Sequence, residues 1–383
     1  MNRLASSLAA AACLSASSVR ADDPRGFAEL DAMLASVGET GLRVDLAIAA
    51  LESSVRSDTD SRRSRFESLA RPIERWLSEP VSAEERLKRL ERASRLAEMA
   101  ERDEAESLRW PLATGRYLAA ASAADLLRSG GASAIGQAAL VERFAACAET
   151  FDLLEREASL ERSRLASRLL RTSGVETDLV AEEQRRLEAE AVRARFLAGW
   201  SQVQQALLAA SPSEARLAAR EAQTRLLPLL DAGSEEPRPS EVSIDRRGDP
   251  GFAQTILGAA LARGTIEGAA EGRAWLDLLS HPSVDREIVA ARPAWELLML
   301  AAADDAEALR EMLERGSRAP GSEGPLRPEW IRMATVAAWP RAGRSPRWAA
   351  ALDAALASSA SRGDVAGIGE LMSRLAEVAP PAS

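Results

Sequence analysis

In residues 140–165, LVERFAACAETFDLLEREASLERSRL, the apolar side chains Leu140, Phe144, Cys147, Phe151, Leu154, Ala158 and Leu165 follow alternating steps of four and three, interrupted by Glu161. That is the a/d spacing of a helix that lays one apolar seam on a neighbour, sustained for roughly three to four heptads, with Glu and Arg on the flanks. After Thr172-Ser173-Gly174 a second helical pattern runs through Leu187, Ala191, Ala194, Phe196, Trp200, Val203 and Leu207. Together they predict a long antiparallel helical hairpin over 136–210, whose Ala-rich second arm permits close approach. Cys147 falls on the seam and reads as a small buried hydrophobe, not a reactive thiol.

Working outward, helix signals recur. Ser82-Ala83-Glu84-Glu85 spells a capping box, with Ser82 accepting from the third amide of the helix. Asp304 to Glu307 and Ser173 to Glu176 repeat the spacing. Ser345-Pro346 and Pro328-Glu329 place proline at the first helical position, where its missing N–H costs nothing. Gly130-Gly131, Gly174 and Gly316 stand as helix ends. No stretch alternates with β-branched or aromatic enrichment, so the reading is all-α. Short paired helices are expected at roughly 252–263, 265–280, 284–303, 305–315, 329–338, 346–360 and 364–378, stacked as an α-solenoid because paired amphipathic helices cannot bury their apolar stripes alone. Gly264, Gly268 and Gly272 would give one of these helices a flat face.

The chain divides into a signal peptide at 1–21, an N-terminal helical domain at 22–231 including the hairpin, a Pro- and Gly-rich linker or loop at 232–251, and a C-terminal helical domain at 252–380. Arg3 with the apolar run Leu4 to Leu14 and the cut site Val19-Arg20-Ala21 predict export. Ala10-Ala11-Ala12-Cys13 also spells a lipobox in which Cys13 would carry a lipid anchor. No later run is long and apolar enough to span a membrane. Removing Arg3 and Arg20 leaves 47 basic residues against 58 acidic ones, a net charge of −11 that disfavours nucleic acid as a partner.

Residues 252–282 resemble a single tetratricopeptide-type repeat: Leu257-Gly258, Leu261, Ala270 and Pro282 fall at that family's spacing. Gln254 stands where the family carries a large aromatic, and Ala274 where its second helix normally does. The resemblance implies a solenoid that binds peptides or proteins on its concave face.

Reactive residues are few. Beyond residue 21 the chain has one histidine (His281), one cysteine (Cys147) and one lysine (Lys88). His281 has no nucleophile or acid at a motif spacing, and a Cys/His zinc site needs more ligands than the chain has. Asp58-Thr59-Asp60 and Asp304-Asp305 are adjacent carboxylates best read as helix caps. Arg362-Gly363-Asp364 matches an adhesion tripeptide, but Gly363 ends one helix and Asp364 caps the next. No cofactor is expected. Tryptophan is the suggestive enrichment: Trp275, Trp295, Trp330, Trp339 and Trp348 crowd the C-terminal part, where such side chains either fill the space between helix layers or anchor partners. Trp330, Trp339 and Trp348 are the candidate partner-binding residues, with Trp339, before Pro340 at a helix end, the most exposed.

These readings predict a non-enzymatic protein–protein interaction scaffold or adaptor of the bacterial cell envelope, periplasmic or secreted. The alternatives are a tryptophan-lined binding module for a small ligand or glycan, and a carboxylate-dependent enzyme in a helical cleft.

Overall fold

A computed structural model describes residues 31–378 apart from 33, 36–37, 53–58, 132, 134, 170–174, 231–236, 244–245, 247–248 and 319–325. The leader, Cys13, Asp58 and the Ser173 cap therefore lie outside the described residues. Every regular element among the described residues is helical. The chain packs as two compact units, residues 1–122 and 123–383.

The first unit is built from α1 (Thr40–Glu52), α2 (Thr59–Ser78), α3 (Ala83–Met99), α4 (Arg102–Ser107) and most of α5 (Arg109–Arg128). Its core gathers Val44 of α1, Phe66, Leu69, Ile73 and Leu77 of α2, Leu96 of α3, Leu108 between α4 and α5, and Leu112 of α5. Ser82 caps α3 as its sequence predicts, accepting from the Glu85 amide at 3.2 Å. The last carbonyls of α2 have no partner within their own helix, and two arginines of α3 supply one. Arg86 is buried and donates to the carbonyls of Leu77 and Glu79 and to the Ser122 hydroxyl. Arg89 donates to the Trp76 carbonyl at 2.6 Å and the Glu79 carboxylate at 2.7 Å. Positive charge at a helix C-terminus also answers its dipole. The guanidinia of Arg89 and Arg92 both stack on the Trp76 ring, at 5.2 and 5.1 Å.

The second unit opens with the two longest helices described, α6 (Gln137–Leu169) and α7 (Val175–Leu208). Leu140, Phe144, Cys147, Phe151, Leu154 and Ala158 are all buried, as the seam requires; Leu165, near the end, is half-exposed. In α7 the buried positions fall on Leu187, Ala194, Ala198, Trp200 and Val203. Helix α8 (Pro212–Leu226), capped by Ser211 and Glu214, lies on α7, and Arg225 grips Asp152 of α6 with two bonds of 3.0 and 2.8 Å. Hydrogen bonding to that carboxylate holds the Arg225 guanidinium charged well beyond its ordinary range.

Next come α9 (Pro250–Glu267), α10 (Ala269–Asp277), α11 (Arg286–Ala302), α12 (Ala306–Arg318), α13 (Pro328–Ala342), α14 (Pro346–Ser361) and α15 (Val365–Val378). Helix α9 packs on α8 directly, so residues 232–251 join helices of one compact unit. The break between units lies instead within α5. Gly264, Gly268 and Gly272 do not share a helix. Gly268, at φ +102°, ends α9 and starts α10, and the other two glycines face each other across that turn. The Met299 thioether of α11 fills the notch between them: a Cβ on either glycine would overlap its sulfur. Gly316 lies inside α12, where it makes room for Leu326.

Two glycines end helices where the sequence places them. Gly130, at φ +76°, closes α5 with the paired bonds Gly130 N to Leu127 O and Gly131 N to Leu126 O. It also lies against Val336 of α13 and Leu371 of α15. Gly363, likewise at φ +76°, closes α14, and Asp364 stands directly before α15, where its carbonyl accepts from the Ile368 amide and its carboxylate pairs with Arg332 at 2.9 Å.

Candidate functional site

The three tryptophans singled out from sequence sit on α13 and α14, and the structure separates their roles. Helix α13 does not stop before Pro340; it continues to Ala342. A proline in the last turn removes one N–H late enough for the helix to survive it. Trp339 therefore falls at the i+8 position from Ile331 and the i+4 position from Thr335, both buried, and is itself only 8 % exposed. The expectation that it is the most exposed of the three is corrected by this continuation.

Trp348 is 4 % exposed and held from two sides. Its indole N–H donates to the Asp304 carboxylate at 2.8 Å, and the Arg341 guanidinium stacks on its ring at 4.9 Å. Burial pushes the Arg341 guanidinium below its ordinary value, against the pull of Asp304; Arg344 lowers it further. Trp330 alone is half-exposed, with Arg327 stacked on it at 5.1 Å. Met333 and Ala337, three and seven residues on, are also half-exposed and continue its face along α13.

Asp304 carries a further correction. Sequence places it as the first residue of a capping box, but the cap is Asp305, whose carboxylate accepts from the Ala308 amide at 3.0 Å. Asp304 instead takes the left-handed position that ends α11, φ +61°, with the bonds Asp304 N to Ala301 O and Asp305 N to Leu300 O. Gly130 and Gly363 hold the equivalent place elsewhere. A non-glycine residue there costs about 1–2 kcal/mol; the hydrogen bond to Trp348 offsets it. Asp304→Ala is therefore expected to lose about 1–3 kcal/mol, because the strain stays and the buried indole N–H loses its acceptor. Asp304→Gly, which relieves the strain, should stay within about 1 kcal/mol of the parent. Urea denaturation would rank them, and equal losses would refute this account of the site.

The remaining chemical candidates are scattered. His281 Nδ1 lies 2.8 Å from the Ser283 hydroxyl in the exposed turn after α10, a local contact within one loop. Cys147 is buried in the α6 seam. Among the described residues no group of three His, Cys, Asp or Glu side chains is placed to hold a metal, and no helix is long and apolar enough to cross a membrane.

Sequence reasoning missed a second surface. The outward face of α6, opposite the seam, exposes Leu153 and Leu160 by 50 and 62 %. Their spacing of seven, within the quoted stretch, is the signal that was there to be read. No family model, curated protein or solved structure matches the chain.

Proposed function

We propose that this is an exported scaffold or adaptor of the bacterial cell envelope that acts by binding other proteins and performs no catalysis. The observation that carries the reading is the packing order in residues 250–378. There α9 packs on α10 and α11, α11 on α12 and α13, α12 on α14, α13 on α14 and α15, and α14 on α15. Helices that pack on those one or two places along the chain form a stack, and a stack offers a long lateral surface. The tetratricopeptide-like assignment has less behind it, since the atoms nearest Gly258 belong to Leu226 and Trp200 of preceding helices.

The long hairpin belongs to the same proposal. Gln137 reaches Leu208, Glu155 pairs with Arg195 and Arg162 with Glu188, so partners descend in α7 as they ascend in α6. That order supports an antiparallel pair that projects side-chain surface on both arms. The Arg3 and Leu4 to Leu14 pattern of residues 1–21, read as an export signal, is what points to the envelope.

Affinity capture of the tagged mature protein from cross-linked envelope, read by mass spectrometry, tests the proposal. One protein recovered repeatedly, and lost with Trp330→Ala, is the expected result. Trp330 is the informative position because Trp339 and Trp348 hold the fold. If nothing is enriched over an unrelated helical protein, the scaffold reading fails.

A further inference from the structure

The exposed face of α6 has a pattern that the seam does not need. Around the point between Arg156 and Glu157 the residues read Glu149, Leu153, Arg156, then Glu157, Leu160, Arg164. The offsets from that point are the same on both sides, and each charge is matched by its opposite. All six are exposed, Arg164 by 77 % of its side chain. Steps of three, four and seven put them on one side of the helix, away from Phe144, Phe151 and Ala158.

A second copy of this face laid antiparallel on the first satisfies every position. Leu153 meets Leu160 of the second copy, Glu149 meets Arg164, and Arg156 meets Glu157, each twice by symmetry. A parallel pairing would set each charge on its like. Two leucines exposed by half or more are otherwise a standing cost in water, and covering them supplies the apolar part of the contact. An isologous two-fold interface is the commonest way soluble chains associate, and it requires this self-complementarity.

We infer that the outward face of α6 is a homodimer interface in which Leu153 and Leu160 of two antiparallel chains pack together, with registration by the Glu149–Arg164 and Arg156–Glu157 pairs. The Arg164–Glu161 contact within one chain, at 3.0 Å, competes with the intermolecular pair and would be exchanged on association. A single helix face is smaller than a standard interface, so the dimer is expected to be weak, with a dissociation constant on the order of micromolar.

Sedimentation velocity of the mature protein across a concentration series reads this directly. The parent is expected to pass from monomer to dimer. Leu153→Glu should weaken dimerisation by about tenfold or more, as should Glu149→Arg and Arg164→Glu singly, since each sets like charges together. The double variant Glu149→Arg with Arg164→Glu should restore the parent's affinity, because the swapped charges face each other again. All these side chains are exposed, so circular dichroism should show unchanged helix. A chain that stays monomeric at about 100 times the expected micromolar constant overturns the inference. So does a dimer indifferent to Leu153→Glu, or a double variant no better than the singles. None of these results depends on whether a partner is captured from the envelope.

Discussion

Phe151→Ala is expected to lower the stability of the second unit by about 3–5 kcal/mol. Phe151 is wholly buried in the α6 seam, between Cys147 and Leu154 on the same face. The cost of such a truncation depends on whether neighbours can move in. Helix α7 fills buried positions with Ala194 and Ala198, which have no side-chain length to spare for the void. Leu153→Ala, two residues along but on the exposed face, provides the contrast and should stay within about 0.5 kcal/mol. Chemical denaturation with a probe in the second unit measures both. A Phe151→Ala loss below about 1 kcal/mol would mean that the seam is not packed as described.

The glycine notch around Met299 gives the second large effect, and it separates two kinds of crowding. The three atoms nearest a Cβ on Gly264 all belong to the Met299 side chain: its Sδ, its Cγ at 2.7 Å and its Cε. A Cβ on Gly272 would meet the same sulfur and also the Gly264 backbone, whose Cα lies 2.8 Å away. In an open helix Gly→Ala gains up to about 1 kcal/mol; here overpacking should reverse the sign. Gly264→Ala is expected to cost about 1–2 kcal/mol and Gly272→Ala about 2–3 or more. The distinguishing experiment is the double variant with Met299→Ala. It should recover most of the loss for Gly264→Ala, because the obstacle is then gone. It should recover little for Gly272→Ala, where backbone remains in the way. Equal rescue of the two would show that the sulfur is the whole obstruction.

Local forces left their mark in the sequence, and long-range ones did not. The α6 seam, the Ser82 cap and the proline starts of α13 and α14 were legible because periodicity and first-turn chemistry act within a few residues. Trp339 was misplaced because Pro340 reads as a stop, whereas in the final turn it costs a single hydrogen bond. Asp304 was misplaced because two adjacent aspartates fit two roles. Only the position of Trp348, 44 residues on, decides that Asp304 ends one helix while Asp305 starts the next. The Arg86 clamp on α2 left no trace in the pattern, since nothing local distinguishes a solvated arginine from one aimed at another helix's last carbonyls. Of the candidate site, the helices were foreseen, and which of its three tryptophans faces out was not.

Gly130 and Leu371 touch although most of the second unit's sequence lies between them. Most of its other helix contacts join elements one or two places apart in the chain, and such contacts form early and fast. This one closes a very long loop, so its entropic toll is only slightly larger than that of a loop half its length, while its chance of forming waits on every helix in between. Helix α15 is thus placed to dock last and to leave first, which would make the unit a ratchet that opens at one seam without coming apart elsewhere.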